Sequence, residues 1–169
     1  MSVYEPFAAL ATLQRHGVRF VVIGGFAGRL LGSPTMTNDT DVCYDRSPDN
    51  LERLASALSE LGARLRGVDE EVPFILDAKT LERGQNFTFD TTAGPLDILG
   101  LPAGVNGFHE LEANAAVFDL GDGLRVDVAD IDDLIRMKRA AGRRKDRIEL
   151  EVLAAVREER EALGLGPGE

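Results

Sequence analysis

Residues 18–44, VRFVVIGGFAGRLLGSPTMTNDTDVCY, decide the fold that the sequence predicts. Their first six residues, VRFVVI, are mostly apolar and β-branched, which favours a buried strand. Gly24 and Gly25 then predict a tight turn that opens a short helix, and Pro34 marks a loop. Residues 39–44, DTDVCY, predict a second strand. A strand, a glycine turn, a short helix and a second strand therefore follow one another closely.

The rest of the chain predicts further helices and two hairpins. Asp130 is expected to be the N-cap of one helix, and Gly142 is expected to end it. The expected elements are helices over residues 5–16, 49–61, 130–141 and 145–163, and hairpins around residues 93–94 and 121–123. Together they predict an α+β fold, a mixed β-sheet flanked by helices. We expect a single domain over residues 1–169, with a frayed tail from about residue 164 to residue 169.

Composition indicates an ordinary globular protein. The chain has 169 residues, of which 44% are hydrophobic, so it can bury a core without a disulfide or metal. Cys43 is the single cysteine and allows no internal disulfide, which suits a reducing compartment. The amino-terminal residues do not resemble a signal peptide, and no apolar stretch approaches the length of a membrane span. We therefore expect a cytoplasmic protein with no membrane partner.

Charge is distributed unevenly along the chain. The formal net charge is −10, which argues against nucleic-acid binding over the whole surface. Residues 136–147 nevertheless contain seven basic residues and one acid, a net charge of +6, which leaves −16 for the remainder. This basic segment is either a solvated helix face or a contact surface for a polyanion.

Two aspartates stand two residues apart in the second predicted strand. Alternate strand residues point to the same side, so Asp39 and Asp41 would present two carboxylates on one face. Carboxylates this close repel each other, and a cation between them relieves the repulsion. Magnesium prefers such hard oxygen ligands and is commonly held by one or two carboxylates together with substrate phosphates. The alternative is that both acids are solvated at the edge of the strand.

A third acid, Asp97, lies within the apolar strand LDIL. Acids are rare in such a setting unless they are paired or bound to metal. With Asp39 and Asp41 it would complete a site for two metal ions. The alternative is that Asp97 lies on the solvated face of an alternating strand.

Gly24 and Gly25 follow a strand and precede a helix, where backbone N–H groups can bind phosphate oxygens. Their spacing does not fit the dinucleotide-binding pattern G-x-G-x-x-G, and the chain contains no P-loop. The alternative is that the pair serves only to turn the chain.

These residues resemble the nucleotidyltransferase superfamily that includes DNA polymerase beta. The resemblance rests on the order strand, Gly24-Gly25, short helix, Asp39-x-Asp41 and the strand acid Asp97. Residues 133–138 (DLIRMK) and 141–146 (AGRRKD) are more narrowly similar to the AbiEii-like toxins of bacterial toxin–antitoxin systems, relatives of the MenT toxins. The chain departs from the superfamily pattern in having Gly-Gly for the usual Gly-Ser and Thr40 for an aliphatic residue. The resemblance covers residues 18–155.

The resemblance implies transfer of a nucleotide from a nucleoside triphosphate to an acceptor hydroxyl, with two Mg²⁺ ions during turnover. It implies metal ligands at Asp39, Asp41 and Asp97, with Lys138 as a further catalytic residue. The nucleotide-binding residues expected are Gly24, Gly25, Thr37, Lys138 and Asp146.

The same resemblance implies RNA as the acceptor, most specifically the 3′ end of tRNA, with contacts from Arg143, Arg144 and Lys145. It also implies a cognate antitoxin as protein partner. Two alternatives stay open: the same chemistry on a small molecule or protein, and a non-catalytic, antitoxin-like or regulatory binding module that keeps the fold.

Overall fold

The structure, a computed structural model, describes residues 3–69 and 73–166. The helices are α1 (Pro6–Arg15), α2 (Gly24–Leu31), α3 (Pro48–Glu60), α4 (Ala78–Arg83), α5 (Phe108–Asn114), α6 (Ile131–Ala141) and α7 (Arg144–Ala162). The strands are β1 (Phe20–Ile23), β2 (Thr40–Tyr44), β3 (Arg64–Leu65), β4 (Asn86–Thr91), β5 (Gly94–Leu99), β6 (Ala116–Asp119) and β7 (Arg125–Val128). The last three residues of the predicted tail lie outside the described part of the chain.

All seven strands form one mixed sheet in the order β3-β4-β5-β2-β1-β7-β6. β1 pairs antiparallel with β2 and parallel with β7, whereas β2 pairs parallel with β5. Both predicted hairpins are present, β4 with β5 and β6 with β7. The α+β fold expected from the sequence is therefore confirmed.

Burial explains why the central strands lie where they do. Every residue of β1 is buried, as its unbroken apolar sequence predicts for a strand covered on both faces. α3 buries one face, which includes Leu51, Leu54 and Leu58, and exposes the opposite one. At the start of α6 the Asp130 carboxylate accepts a hydrogen bond from the Asp133 N–H at 2.7 Å, which confirms the predicted N-cap. Gly142 ends that helix with a left-handed backbone.

The structure corrects several local predictions. α2 begins at Gly24 itself, so no separate turn stands between β1 and the helix. Asp39 lies one residue before β2, and not within it. The sequence did not predict β3, α4 or α5. Only two residues of α5, Phe108 and Leu111, are buried, too few to give a periodic pattern.

None of the helices in the described ranges is both long and apolar enough to cross a bilayer.

Candidate active site

The three aspartates lie together at one end of the central strands. Asp41 in β2 is directly opposite Asp97 in β5, because the two strands pair in parallel at that register. Asp39 stands just before β2, where its carbonyl oxygen accepts a hydrogen bond from the Tyr4 hydroxyl at 3.2 Å. One carboxylate oxygen from each aspartate lies within 4.8 Å of those of the other two. The structure thus brings together the acids that the sequence singled out, although Asp39 is outside the strand.

The cluster disfavours full ionisation. The pKa of Asp41 is raised to about 8, chiefly by burial and then by the neighbouring charges of Asp97 and Asp39. The ammonium group of Lys138 acts in the opposite direction but does not outweigh them. Without a bound cation, burial and the neighbouring carboxylates therefore favour the protonated form of Asp41.

This donor set fits a hard divalent cation. Carboxylate oxygens are the ligands that Mg²⁺ prefers, and a cation would replace the proton that the cluster otherwise retains. The close approach of three partly buried acids is costly without such a counter-charge. Among the residues that the structure describes, these three form the group of acidic, histidine and cysteine side chains suited to a metal ion.

Gly24 and Gly25 bring the start of α2 against the acids. Gly24 has φ +71°, and a Cβ there would overlap the carboxylate of Asp41. A Cβ at Gly25 would lie 2.9 Å from the Thr37 hydroxyl oxygen. The N-cap residue Ile23 supplies no side-chain hydrogen bond to the first turn. The first backbone N–H groups of α2 are therefore available to an anion beside the carboxylates.

A cavity of about 560 Å³ opens over this cluster. The glycines, Thr37 and the three aspartates line it, and residues 134–153, from α6 to α7, supply a further wall. That wall carries both charged and apolar side chains, which include Lys138, Arg143, Lys145, Asp146, Glu149, Leu134, Met137 and Leu153. All the residues predicted to bind the nucleotide line this one cavity.

Asp146 organises the charged wall. It is 1% exposed, and its carboxylate accepts hydrogen bonds from the Arg143 backbone N–H at 3.0 Å and from Arg143 Nε at 2.9 Å. The Nζ atom of Lys138 lies 3.5 Å from the same carboxylate. Asp146 therefore caps α7 and also fixes the position of Lys138 at the cavity.

The basic segment lies only partly at the cavity. Lys138, Arg143 and Lys145 line it, whereas Arg144 is exposed and does not. Arg136 is paired with Asp133 and Glu110. Of the three residues predicted to contact RNA, two thus line the cavity that also contains the carboxylate cluster.

Several neighbours of the cluster were not predicted from the sequence. Arg66 forms an ion pair with Asp97, with 3.0 Å between Nη2 and Oδ1. Tyr4 reaches Asp39 from the amino terminus, and Glu149 joins the cavity wall from α7. No local pattern marks these residues, since each arrives through strand pairing or helix packing over a long sequence separation.

Comparison with known proteins supports the fold assignment. The sequence matches no protein-family model and no curated protein. The structure is similar to that of the lincosamide antibiotic adenylyltransferase LnuA bound to lincomycin, with a TM-score of 0.61 and 14% identity over 92% of this chain and 99% of that chain. It shares its fold with LnuA. The antibiotic-resistance factor ANT(2'')-Ia is also similar, with a TM-score of 0.52 and 18% identity over 94% of this chain and 92% of that one.

Proposed function

We propose that the chain is a metal-dependent nucleotidyltransferase, which moves a nucleotide from a nucleoside triphosphate to an acceptor hydroxyl. The observation that carries the proposal is the convergence of Asp39, Asp41 and Asp97 beside the first turn of α2. The fold shared with the lincosamide antibiotic adenylyltransferase LnuA supports the same reaction.

In this reaction the acceptor oxygen attacks the α-phosphorus of the triphosphate. The bond from that phosphorus to the bridging oxygen breaks, pyrophosphate leaves, and the hydroxyl proton passes to a base. Asp97 is the base that we propose, and its position in the cavity lining beside the other two acids supports this role. Backbone N–H groups at Gly24 and Gly25 bind phosphate oxygens, and the Thr37 hydroxyl lies beside them.

Asp39, Asp41 and Asp97 would hold Mg²⁺, two ions during turnover. Bound there, Mg²⁺ neutralises phosphate charge and lowers the pKa of the attacking hydroxyl. Lys138 contributes a further positive charge toward the phosphates. Asp146 acts through Lys138, which it holds at the cavity wall.

RNA is the acceptor that we propose, with the 3′ end of tRNA as the specific case. Arg143 and Lys145 border the cavity, where they can contact a phosphate backbone whose terminal hydroxyl reaches the carboxylates. The chain would then act in the cytoplasm as a toxin of the AbiEii and MenT kind, restrained by a cognate antitoxin. The support for this role is the local +6 charge and the sequence resemblance.

A small-molecule acceptor is the second candidate. LnuA, described as a lincosamide adenylyltransferase, is matched over 99% of its length by this chain. The apolar part of the cavity wall, which includes Leu134, Met137 and Leu153, suits an organic acceptor better than a phosphate backbone.

Labelled nucleoside triphosphates, incubated with the protein, Mg²⁺ and either total RNA or small-molecule extract, test both candidates. RNA carrying the label supports the first, and a labelled small molecule supports the second. The Asp41→Asn variant controls for contaminating transferases, since it should label neither. Absence of labelling by the wild-type protein, with no nucleotide binding, would instead favour a non-catalytic binding module.

A further inference from the structure

Arg66 lies at the end of a row of residues that crosses the sheet to the carboxylate cluster. It directly follows β3, and its backbone N–H donates to the carbonyl oxygen of Thr88 in β4 at 2.9 Å. Thr88 is opposite Asp97 in β5, and Asp97 is opposite Asp41 in β2. Residues directly opposite each other in neighbouring strands have side chains on the same face. The Arg66 side chain therefore passes over Thr88 to reach Asp97.

Three oxygen atoms fix the guanidinium group of Arg66. Nη2 donates to the carbonyl oxygen of Phe89 at 2.8 Å, and Nε donates to Oδ1 of Asp90 at 3.2 Å. Nη2 also lies 3.0 Å from Oδ1 of Asp97. β4 thus holds the guanidinium group independently of Asp97. The positive charge of Arg66 therefore has a fixed position next to the Asp97 carboxylate.

The two oxygens of Asp97 have different surroundings. Oδ1 is fully buried, and the Arg66 contact has ion-pair distance but not hydrogen-bond geometry, so Oδ1 has no hydrogen bond among the described residues. The side chain as a whole is still 20% exposed and lines the cavity. Oδ2 is therefore the oxygen that can face a ligand there. Arg66 does not line the cavity, so it reaches Asp97 from outside it.

We propose that Arg66 is a positioning residue for the carboxylate cluster. By holding Oδ1 of Asp97 from outside the cavity, it directs Oδ2 toward the position that a divalent cation would share with Asp41. The inference rests on the proposed function only in naming that cation. Partners that orient metal ligands from behind typically contribute 10–100-fold to metal affinity.

This role is tested by measuring Mn²⁺ binding to the whole chain in the absence of nucleotide. Electron paramagnetic resonance of the free ion reports the fraction that is not bound. Arg66→Gln should raise the Kd for Mn²⁺ about 10-fold or more. Arg66→Lys should fall between this variant and the wild type, since lysine keeps the charge without the planar geometry. Arg53→Gln is the matched control: it makes the same change at an exposed arginine of α3 that does not line the cavity, and it should leave the Kd unchanged.

A kinetic measurement separates positioning from a general structural effect. Because Arg66 does not line the cavity, Arg66→Gln assayed at saturating Mg²⁺ should lower kcat and leave KM for the triphosphate unchanged. Circular dichroism establishes that each variant is folded, and Arg66→Lys carries the test if the glutamine variant is not.

The outcomes are distinct. Mn²⁺ binding as tight as wild type, or tighter, in both Arg66 variants would overturn the inference, because Arg66 would then be only a counter-charge. Weaker binding in both, in a protein that transfers no nucleotide, would support Arg66 while refuting the proposed function. A wild-type protein that does not bind Mn²⁺ would refute both.

Discussion

Asp41→Asn should make the metal-free protein more stable at pH 8.5 while abolishing nucleotide transfer. Two unit charges no more than 4.8 Å apart repel by at least about 3.5 kcal/mol at an effective dielectric constant of about 20. Lys138 offsets part of this repulsion, so a gain of about 2 kcal/mol in the free energy of unfolding is expected. For a chain of this size that corresponds to an increase in Tm of about 4–8 °C.

The gain should depend on pH in one direction. In the folded protein Asp41 keeps its proton up to a pKa of about 8, whereas in the unfolded chain it releases the proton near its ordinary value of 3.8. The wild-type protein therefore loses stability as pH rises from about 4 to about 8, because only the unfolded state releases this proton in that range. The asparagine variant has no such loss, so its Tm advantage should be small at pH 5 and largest above pH 8.

Differential scanning fluorimetry in EDTA, from pH 5 to pH 8.5, measures this difference. Asp69→Asn, a change at an exposed acid, is the matched control and should show a constant small offset. Adding Mg²⁺ should raise the Tm of the wild-type protein and narrow the gap. A variant that is less stable than wild type at pH 8.5, or a gap that does not widen with pH, would refute the repulsion argument.

The cavity and its lining residues lead to three further predictions. Mg²⁺ and a triphosphate together should raise Tm by about 5–10 °C at a ligand concentration of about 100 Kd, and Mg²⁺ alone by much less; a titration of all four triphosphates measures this. Replacing Arg144 and Lys145 with Ala should reduce the slope of log K against log salt concentration for single-stranded RNA binding by up to about 1.4, if both residues contact phosphate. The Lys79→Ala/Arg83→Ala variant is the control. An unchanged slope would favour a small-molecule acceptor. Arg143 is retained in that variant because it caps α7 through Asp146. Gly24→Ala should abolish nucleotide transfer and lower the free energy of unfolding by about 1–3 kcal/mol or more, because φ there is +71° and the new Cβ would overlap Asp41. Wild-type activity in that variant would show that the close approach of α2 to the acids is not needed for transfer.

Local patterns were sufficient to predict most elements of the fold. The buried strand before Gly24, the N-cap at Asp130 and the hairpin around residues 121–123 each depend on neighbouring residues, and the structure contains all three. α5 was missed because its buried contacts involve only Phe108 and Leu111. A short helix with one buried turn carries little periodic signal.

The sequence was sufficient to predict the three acids of the candidate site, but not the residues that contact them. Asp97 is recognisable because an acid within an apolar strand is unusual, and Asp39 and Asp41 because they stand two residues apart. That they stand directly opposite each other depends on the parallel pairing of β2 with β5, which no local pattern specifies. Arg66 was missed for the same reason, since it reaches Asp97 across two strand pairings from the two-residue strand β3.

The parallel pairing of β2 with β5 has a consequence for folding kinetics. Asp41 and Asp97 can bind one ion only after the two strands have met, and α3, β3, α4 and β4 separate them in sequence. Forming such a non-local pair requires closing a long loop, which slows folding. If β2 and β5 pair after the rate-limiting step, a bound divalent ion slows unfolding and leaves the folding rate unchanged. Folding rates measured with and without Mg²⁺ would therefore show whether β2 and β5 pair before or after the rate-limiting step.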